Sequence, residues 1–182
     1  MDRYRVEKGD SRAYLCTCAF QLWLPVFNCG PQYFQIILDS LVFCRKSKGL
    51  ILHAYVLMVD HLHLIARHED VSDFMRDFKT WNSRKITEQL KQEGRTDFLK
   101  LFQLIAPQGS RPQEFRVWQD GFHPKSIVSD AMMLQKLRYI HNNPVRKGFV
   151  KAPEDWRYSS AGSYLTGGQG VLKIDHVGPL IV

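Results

Sequence analysis

The run Tyr55-Val56-Leu57-Met58-Val59-Asp60-His61-Leu62-His63-Leu64-Ile65-Ala66 constrains this chain more than any other stretch, being apolar throughout except for one acid and two histidines. Strand side chains alternate between faces, so an extended run sends Leu62 and Leu64 into a core and sets His61 and His63 side by side on the opposite face. Two readings of that pair follow. The imidazoles are either polar residues on the wet face of a half-buried strand, or a two-ligand seat for a cation. Neutral imidazole is the commonest metal ligand, and a rigid strand holds two of them with little ordering cost. The spacing alone leaves both open.

The elements around this run are legible from periodicity and punctuation. Ala13 to Phe20 reads as a buried strand from its apolar and aromatic content. Pro31 suits the first turn of a helix reaching about Lys48, with Phe34, Ile37, Leu38, Leu41 and Val42 on one stripe, and Gly49 ends it. Leu50 to Met58 forms a strand that turns near Val59-Asp60 into the histidine strand. A second helix starts at Ser72, taken as its N-cap, and carries Phe74, Met75, Phe78, Trp81 and Ile86 to about Leu90. Residues 92–112, punctuated by Gly94, Pro107, Gly109 and Pro112, read as a variable insertion, with a short helix at Phe98 to Phe102. Strands at Glu114 to Gln119 and Pro124 to Val128 flank Asp120-Gly121. The order strand, helix, strand, strand, helix, strands, helix describes an α+β fold, a ferredoxin-like sandwich in which helices pack on an antiparallel sheet.

A second informative stretch lies far downstream, Lys136-Leu137-Arg138-Tyr139-Ile140-His141-Asn142-Asn143-Pro144-Val145-Arg146-Lys147-Gly148. Its helix begins after Ser129-Asp130, and Met133, Leu134, Leu137 and Ile140 share an inward stripe with Tyr139 beside it. Asn143, four residues after Tyr139, falls on the same side one turn on, at the end of the helix, because the residue before a proline is pushed out of the α region. Gly148 caps the exit. Trp156 to Tyr164 reads as a short turn or helix against the core, and residues 166–182 as a flexible C-terminal tail after a domain at 13–165; residues 1–12 form a polar N-terminal tail.

Length and charge limit the functions this frame can serve. The chain has 182 residues, 45% of them apolar, which suits one compact domain with a sizeable core. Lys and Arg number 25 against 18 Asp and Glu, a net charge of +7, and the pI near 9.3 favours an anionic polymer as partner. Cysteines at 16, 18, 29 and 44 show no paired metal spacing and fit a reducing cytoplasm. The N-terminus lacks the apolar stretch of a signal peptide, and no run reaches the ~18 apolar residues of a membrane span, so no membrane partner is expected.

The His-hydrophobic-His strand paired with the Tyr-Ile-His-Asn-Asn-Pro-Val-Arg-Lys-Gly helix resembles the REP-associated tyrosine transposases, single-tyrosine members of the HUH nucleases. The resemblance covers residues 13 to 165 and is most specific in Phe78-Lys79, Phe122-His123-Pro124-Lys125, the tyrosine helix and Glu154 to Ser160. One departure is Val59-Asp60, where relatives would show Pro-Asn; Asp also favours turns, and the change reads as neutral for chemistry. The resemblance implies cleavage and rejoining of single-stranded, hairpin-forming DNA through a 5′-phosphotyrosine on Tyr139. It also implies that His61 and His63 bind a divalent ion with Asn143 as third ligand. Such a mixed imidazole and amide set favours Mg²⁺ or Mn²⁺ over a closed zinc site.

Expected DNA contacts are Lys79 and Arg84 on the second helix and Arg138, Arg146 and Lys147 on or after the tyrosine helix, forming one basic groove with their neighbours Arg76, Lys85 and Lys136. His123 and Lys125, in the strand region beside the site, complete the set. The protein is expected to be cytoplasmic and nucleoid-associated, a monomer or homodimer. The competing reading is a ferredoxin-like nucleic-acid-binding module without catalysis. A replication initiator or relaxase is disfavoured, because no helicase-like domain fits in this length.

Overall fold

The computed structural model describes residues 12–107, 113–121 and 124–177. Within them the chain runs β1 (Ala13–Ala19), α1 (Pro31–Ser47), β2 (Ile51–Leu57), β3 (His61–Arg67), α2 (Val71–Gln92), α3 (Thr96–Leu104), β4 (Lys125–Ile127), α4 (Asp130–His141), α5 (Asn143–Arg146) and α6 (Ala161–Leu165). The four strands form one antiparallel sheet in the order β2-β3-β1-β4, the ferredoxin-like arrangement expected from the order of elements.

Alternation along the strands divides the sheet into two unlike faces. Tyr14, Cys16, Cys18 and Phe20 from β1 and its end, Leu52, Tyr55 and Leu57 from β2, and Leu62, Leu64 and Ala66 from β3 are buried with Phe34, Ile37 and Leu41 of α1 and Phe74, Met75 and Phe78 of α2. The other face carries a smaller core, in which Leu15, Ala54, Val56, Met58, Ile65 and Ile127 meet Met133, Leu137 and Ile140 of α4. That smaller core fills only part of its face. Where it stops, β1 and β3 present Thr17, His61 and His63, with Thr17 directly opposite His63 and Ala19 opposite His61 in the strand register.

Local chemistry sets the element ends, with some differences from the sequence reading. Helix α2 is capped by Asp70, whose carboxylate accepts from the Asp73 amide at 2.9 Å, rather than by Ser72. An acid two residues earlier does the same work and adds charge complementary to the helix dipole. Ser129 caps α4 by accepting from Met132 N at 3.2 Å. Glu114 to Gln119, expected as a strand, contributes one bridge, Trp118 to Phe20. The preceding Arg116 amide donates to Phe102 O of the α3 region instead, and the Trp118 ring stacks on Phe20 at 4.4 Å, so only the end of this segment lies along the sheet.

The closing segment also departs from expectation. Leu172 and Ile174 are buried, and the Asp175 carboxylate pairs with Arg45 at 2.7 Å and accepts from Leu52 N at 3.0 Å. Residues 172–175 therefore pack on the core, because the apolar residues after the glycines have a site to fill against α1 and β2. Together with Tyr158 and Ser160, they occupy the outer margin of β2: Leu57 N donates to Tyr158 O, Ser160 N to Tyr55 O, and Asp175 N to Leu52 O.

Candidate active site

A cleft of about 510 Å³ opens on the α4 face of the sheet, lined by Thr17, Trp23, His61, His63, Tyr139, Asn143, Arg146 and Lys147. Three separate parts of the chain converge there. The two histidines stand on β3, which lies between β2 and β1; the tyrosine stands on α4, whose inner stripe anchors it to the smaller core. The residues after α4 supply the amide and the two cations.

Both histidines are buried, each 5% exposed, and their rings lie 4.9 Å apart at 80°. Each has its Nδ1 engaged from outside the pair. His63 Nδ1 meets Thr17 Oγ1 at 2.8 Å, and His61 Nδ1 meets Asp60 Oδ1 at 2.5 Å. Fixing Nδ1 in this way orients the ring, and in the tautomer that carries its proton on Nδ1 the lone pair is on Nε2, the arrangement by which ligating histidines are usually held. Burial, reinforced by the neighbouring His61, pushes His63 down from 6.5 to about 3, so its imidazole is neutral near pH 7 and able to donate a lone pair. Asp60, read from sequence as a neutral turn substitution, is thus the residue that orients His61. The signal was present as an acid directly before the first histidine, but its turn propensity explained it equally well. Thr17, on a different strand and forty-six positions away from its partner, carried no signal at all.

Tyr139 is 41% exposed, with its ring 5.5 Å from His63 and the Arg146 guanidinium 5.9 Å above it. Helix α4 ends at His141, and Asn143 opens the short α5 with Pro144 in its first turn. The one-turn relation survives the break, since Asn143 Nδ2 donates to Tyr139 O at 3.1 Å. With its amide nitrogen committed, Asn143 has its Oδ1 left for another partner. Among the described residues no group of three or more His, Cys, Asp or Glu is arranged to hold a metal. The donor set fits a divalent ion in another way, as two oriented imidazoles and one amide oxygen on a single cleft. His141 points away from this cleft. It is buried, and its Nε2 meets Ser160 Oγ at 2.9 Å. Burial lowers it to about 4.

The cations expected to share one groove are divided by the sheet. Helix α2 packs on the face opposite α4, so Lys79 and Arg84 do not join Arg146 and Lys147. The Lys79 ammonium, largely enclosed, donates to Gln119 O at 2.8 Å and Gly121 O at 3.4 Å, and it ties down the loop before β4. Arg84 lies 3.7 Å from Glu88 on an exposed helix face, and Lys85 pairs with the same carboxylate at 2.8 Å. Arg138 is exposed one position before Tyr139 and lies outside the cleft lining. Lys125 pairs with Leu15 in register, which puts it on the histidine face at the β4 margin. His123 lies outside the described residues. Trp23, which the sequence reading did not single out, lines the cleft beside His61.

No family model matches the sequence. A Haemophilus influenzae protein named as a REP-associated tyrosine transposase is 31% identical over 107 residues, covering 59% of this chain and 56% of that protein. The chain thus spans little more than half the length of that relative. The Escherichia coli K12 REP-associated tyrosine transposase is 22% identical over 146 residues, covering 80% of this chain and 73% of its own. Among solved structures, a REP-associated tyrosine transposase bound to a REP hairpin superposes with a TM-score of 0.67 over 98% of this chain and 92% of that one, at 18% identity. The chain is thus similar in sequence to two REP-associated tyrosine transposases, and it shares the fold of the solved one.

Proposed function

We propose that this chain cleaves and rejoins single-stranded, hairpin-forming DNA through a covalent 5′-phosphotyrosine on Tyr139. The observation that carries the reading is the convergence of two oriented, buried imidazoles and a half-exposed tyrosine on one cleft with Arg146 and Lys147 at its rim. A phosphate entering this cleft meets the two cations, and Tyr139 lies within one ring's reach of His63. The Tyr139 oxygen attacks phosphorus, the new bond joins that oxygen to the 5′-phosphate, and the bond to the 3′ oxygen breaks. The freed 3′ oxygen takes up a proton, matching the one lost from the phenol. Reversal by another 3′-hydroxyl restores the phosphodiester and releases the tyrosine, so cleavage and rejoining are one reaction run in two directions.

His61, His63 and Asn143 would hold the divalent ion, Mg²⁺ or Mn²⁺, which when bound would withdraw charge from the scissile phosphate. Asp60 and Thr17 keep the imidazoles in the tautomer and orientation that this requires. Helix α4 fixes the tyrosine against the sheet, so nucleophile and ligands share one rigid frame. The protein would do this in the cytoplasm, on the nucleoid, as a monomer or homodimer.

The direct test is incubation with labelled single-stranded hairpin DNA and Mn²⁺, followed by peptide mapping of any covalent adduct. The expected adduct is on Tyr139 and is absent in Tyr139→Phe, which still folds and binds DNA because one oxygen and little volume are lost. DNA found on Tyr158 or Tyr164, or an undiminished adduct in the variant, would overturn the assignment. Hairpin binding with no adduct under Mn²⁺ or Mg²⁺ would favour the non-catalytic binding module.

A further inference from the structure

We infer that Trp23 is a stacking platform for the unpaired nucleobase next to the phosphate held between the histidine pair and Tyr139. The inference rests on the single-strand cleavage reading above and names a contact that reading does not use.

Among the exposed large apolar side chains of the described residues, two line the cleft, Tyr139 and Trp23. Tyr139 has a proposed task. Trp23, 54% exposed, has none within the isolated molecule. Its ring stands edge-on to His61 at 5.6 Å, so the cleft presents a row: Trp23, His61, His63, Tyr139 and then the Arg146 guanidinium. One end of the row is an apolar plane and the other is cationic. A ligand that satisfies both ends is a nucleotide with its base free, the phosphate drawn to Arg146 and Lys147 and the base laid on the indole. A base already stacked within a duplex has no face to offer.

The mount of Trp23 favours a fixed surface over a side chain without a task. Leu22 and Trp23 both have φ of 54°, in the left-handed region that L residues with bulky side chains rarely occupy. The turn is pinned from several sides. Phe20 N donates to Asp60 O at 3.0 Å, Gln21 N to Val117 O at 2.8 Å, and Trp23 N to Phe20 O at 3.1 Å, while Gln21 Nε2 donates to Trp118 O at 3.0 Å. Val26 and Phe27, just after it, are buried. The surroundings thus hold an indole outward beside the buried histidines, and the bond to Asp60 ties the turn to the residue that orients His61. Because every base has a π-face, the contact should be tolerant of sequence.

The test uses fluorescence anisotropy with hairpin oligonucleotides carrying a single-stranded flank, in EDTA so that no cleavage occurs, and a series with one abasic site moved along the flank. One flank position is expected at which loss of the base weakens wild-type binding about tenfold, the size of one base–aromatic stack. Trp23→Ala should lose the same factor on the intact oligonucleotide and be indifferent to that abasic site, while Trp23→Phe should keep most of the affinity. Trp23→Ala binding within twofold of wild type, or an equal abasic penalty in both proteins, would overturn the platform. If either occurs while the Tyr139 adduct still forms, the cleavage reading stands alone. If wild type binds no hairpin-bearing single strand, both fall.

Discussion

The two faces of the sheet are built from alternate residues of the same strands, yet they do different work. On the α1–α2 face every inward position of β3 is aliphatic, and the layer runs unbroken into both helices. On the α4 face the apolar layer stops partway, and the positions beyond it include Thr17, His61 and His63. Leu64 and His63 are neighbours in sequence and similarly buried, but one is held by dispersion and apolar burial and the other by a single hydroxyl. A strand can therefore carry a site without weakening the fold, provided that its other face does the stabilising alone.

The largest expected effect that tests this division is in the pair Leu64 and His63. Leu64→Ala should cost about 2–5 kcal/mol of unfolding free energy through lost burial and the cavity left behind. His63→Leu, which replaces a buried polar ring by an apolar side chain and leaves the exposed Thr17 hydroxyl to water, should change stability by less than about 1.5 kcal/mol while abolishing adduct formation. Urea unfolding of both variants is the measurement. A His63→Leu cost as large as that of Leu64→Ala would show that the site face stabilises too.

A smaller effect should appear with acid. His141 is buried and neutral at the back of the α4 face, with its folded value lowered to about 4 by burial. In the unfolded chain it takes up a proton near pH 6.5. The unfolded state then binds more protons as pH falls, so stability is full above about pH 6.5 and declines toward about pH 4. His141→Gln should flatten this decline in melting curves taken between pH 7.5 and 4.5, although His63, shifted the same way, will leave part of it. An unchanged slope would mean that His141 is solvated in solution.

The smallest effect concerns the orienting carboxylate. Asp60→Asn keeps size and shape but removes the charge facing His61, and it should weaken Mn²⁺ dependence of cleavage by about 10–100-fold without shifting the melting temperature. A metal titration of the cleavage rate measures this. No change would show that Asp60 serves the turn alone, as its position in sequence first suggested.

How much of this was legible in the sequence depends on whether periodicity carried it. The histidine pair could be placed on one face of a strand because that face is a matter of counting by two, and Tyr139 on α4 because Met133, Leu137 and Ile140 fix the helix phase. The layer on which a helix lies is not written in its own period. Lys79 and Arg84 therefore joined a groove on paper that the sheet divides in space, since an amphipathic helix shows which side is buried but not against which face. Thr17 and Trp23 were invisible for a related reason: their roles arise from partners on other strands and turns. The buried stretch at Leu172 and Ile174 escaped notice because the glycines at 167, 168 and 170 suggested a tail, whereas the few apolar residues after them are enough to dock it.

That docked stretch has a consequence for how the protein comes into being. The outer backbone groups of β2 at Leu52, Tyr55 and Leu57 find their partners in Tyr158, Ser160 and Asp175, more than a hundred positions further along the chain. During synthesis, the strand beside the histidine strand must wait with its margin open until the ribosome has added more than a hundred further residues. Contacts of such long sequence separation are slow to form, and open strand margins invite pairing with other chains. The growing polypeptide is thus exposed to misassembly in the interval after the histidines and the tyrosine have emerged but before the segment that closes the sheet has followed them.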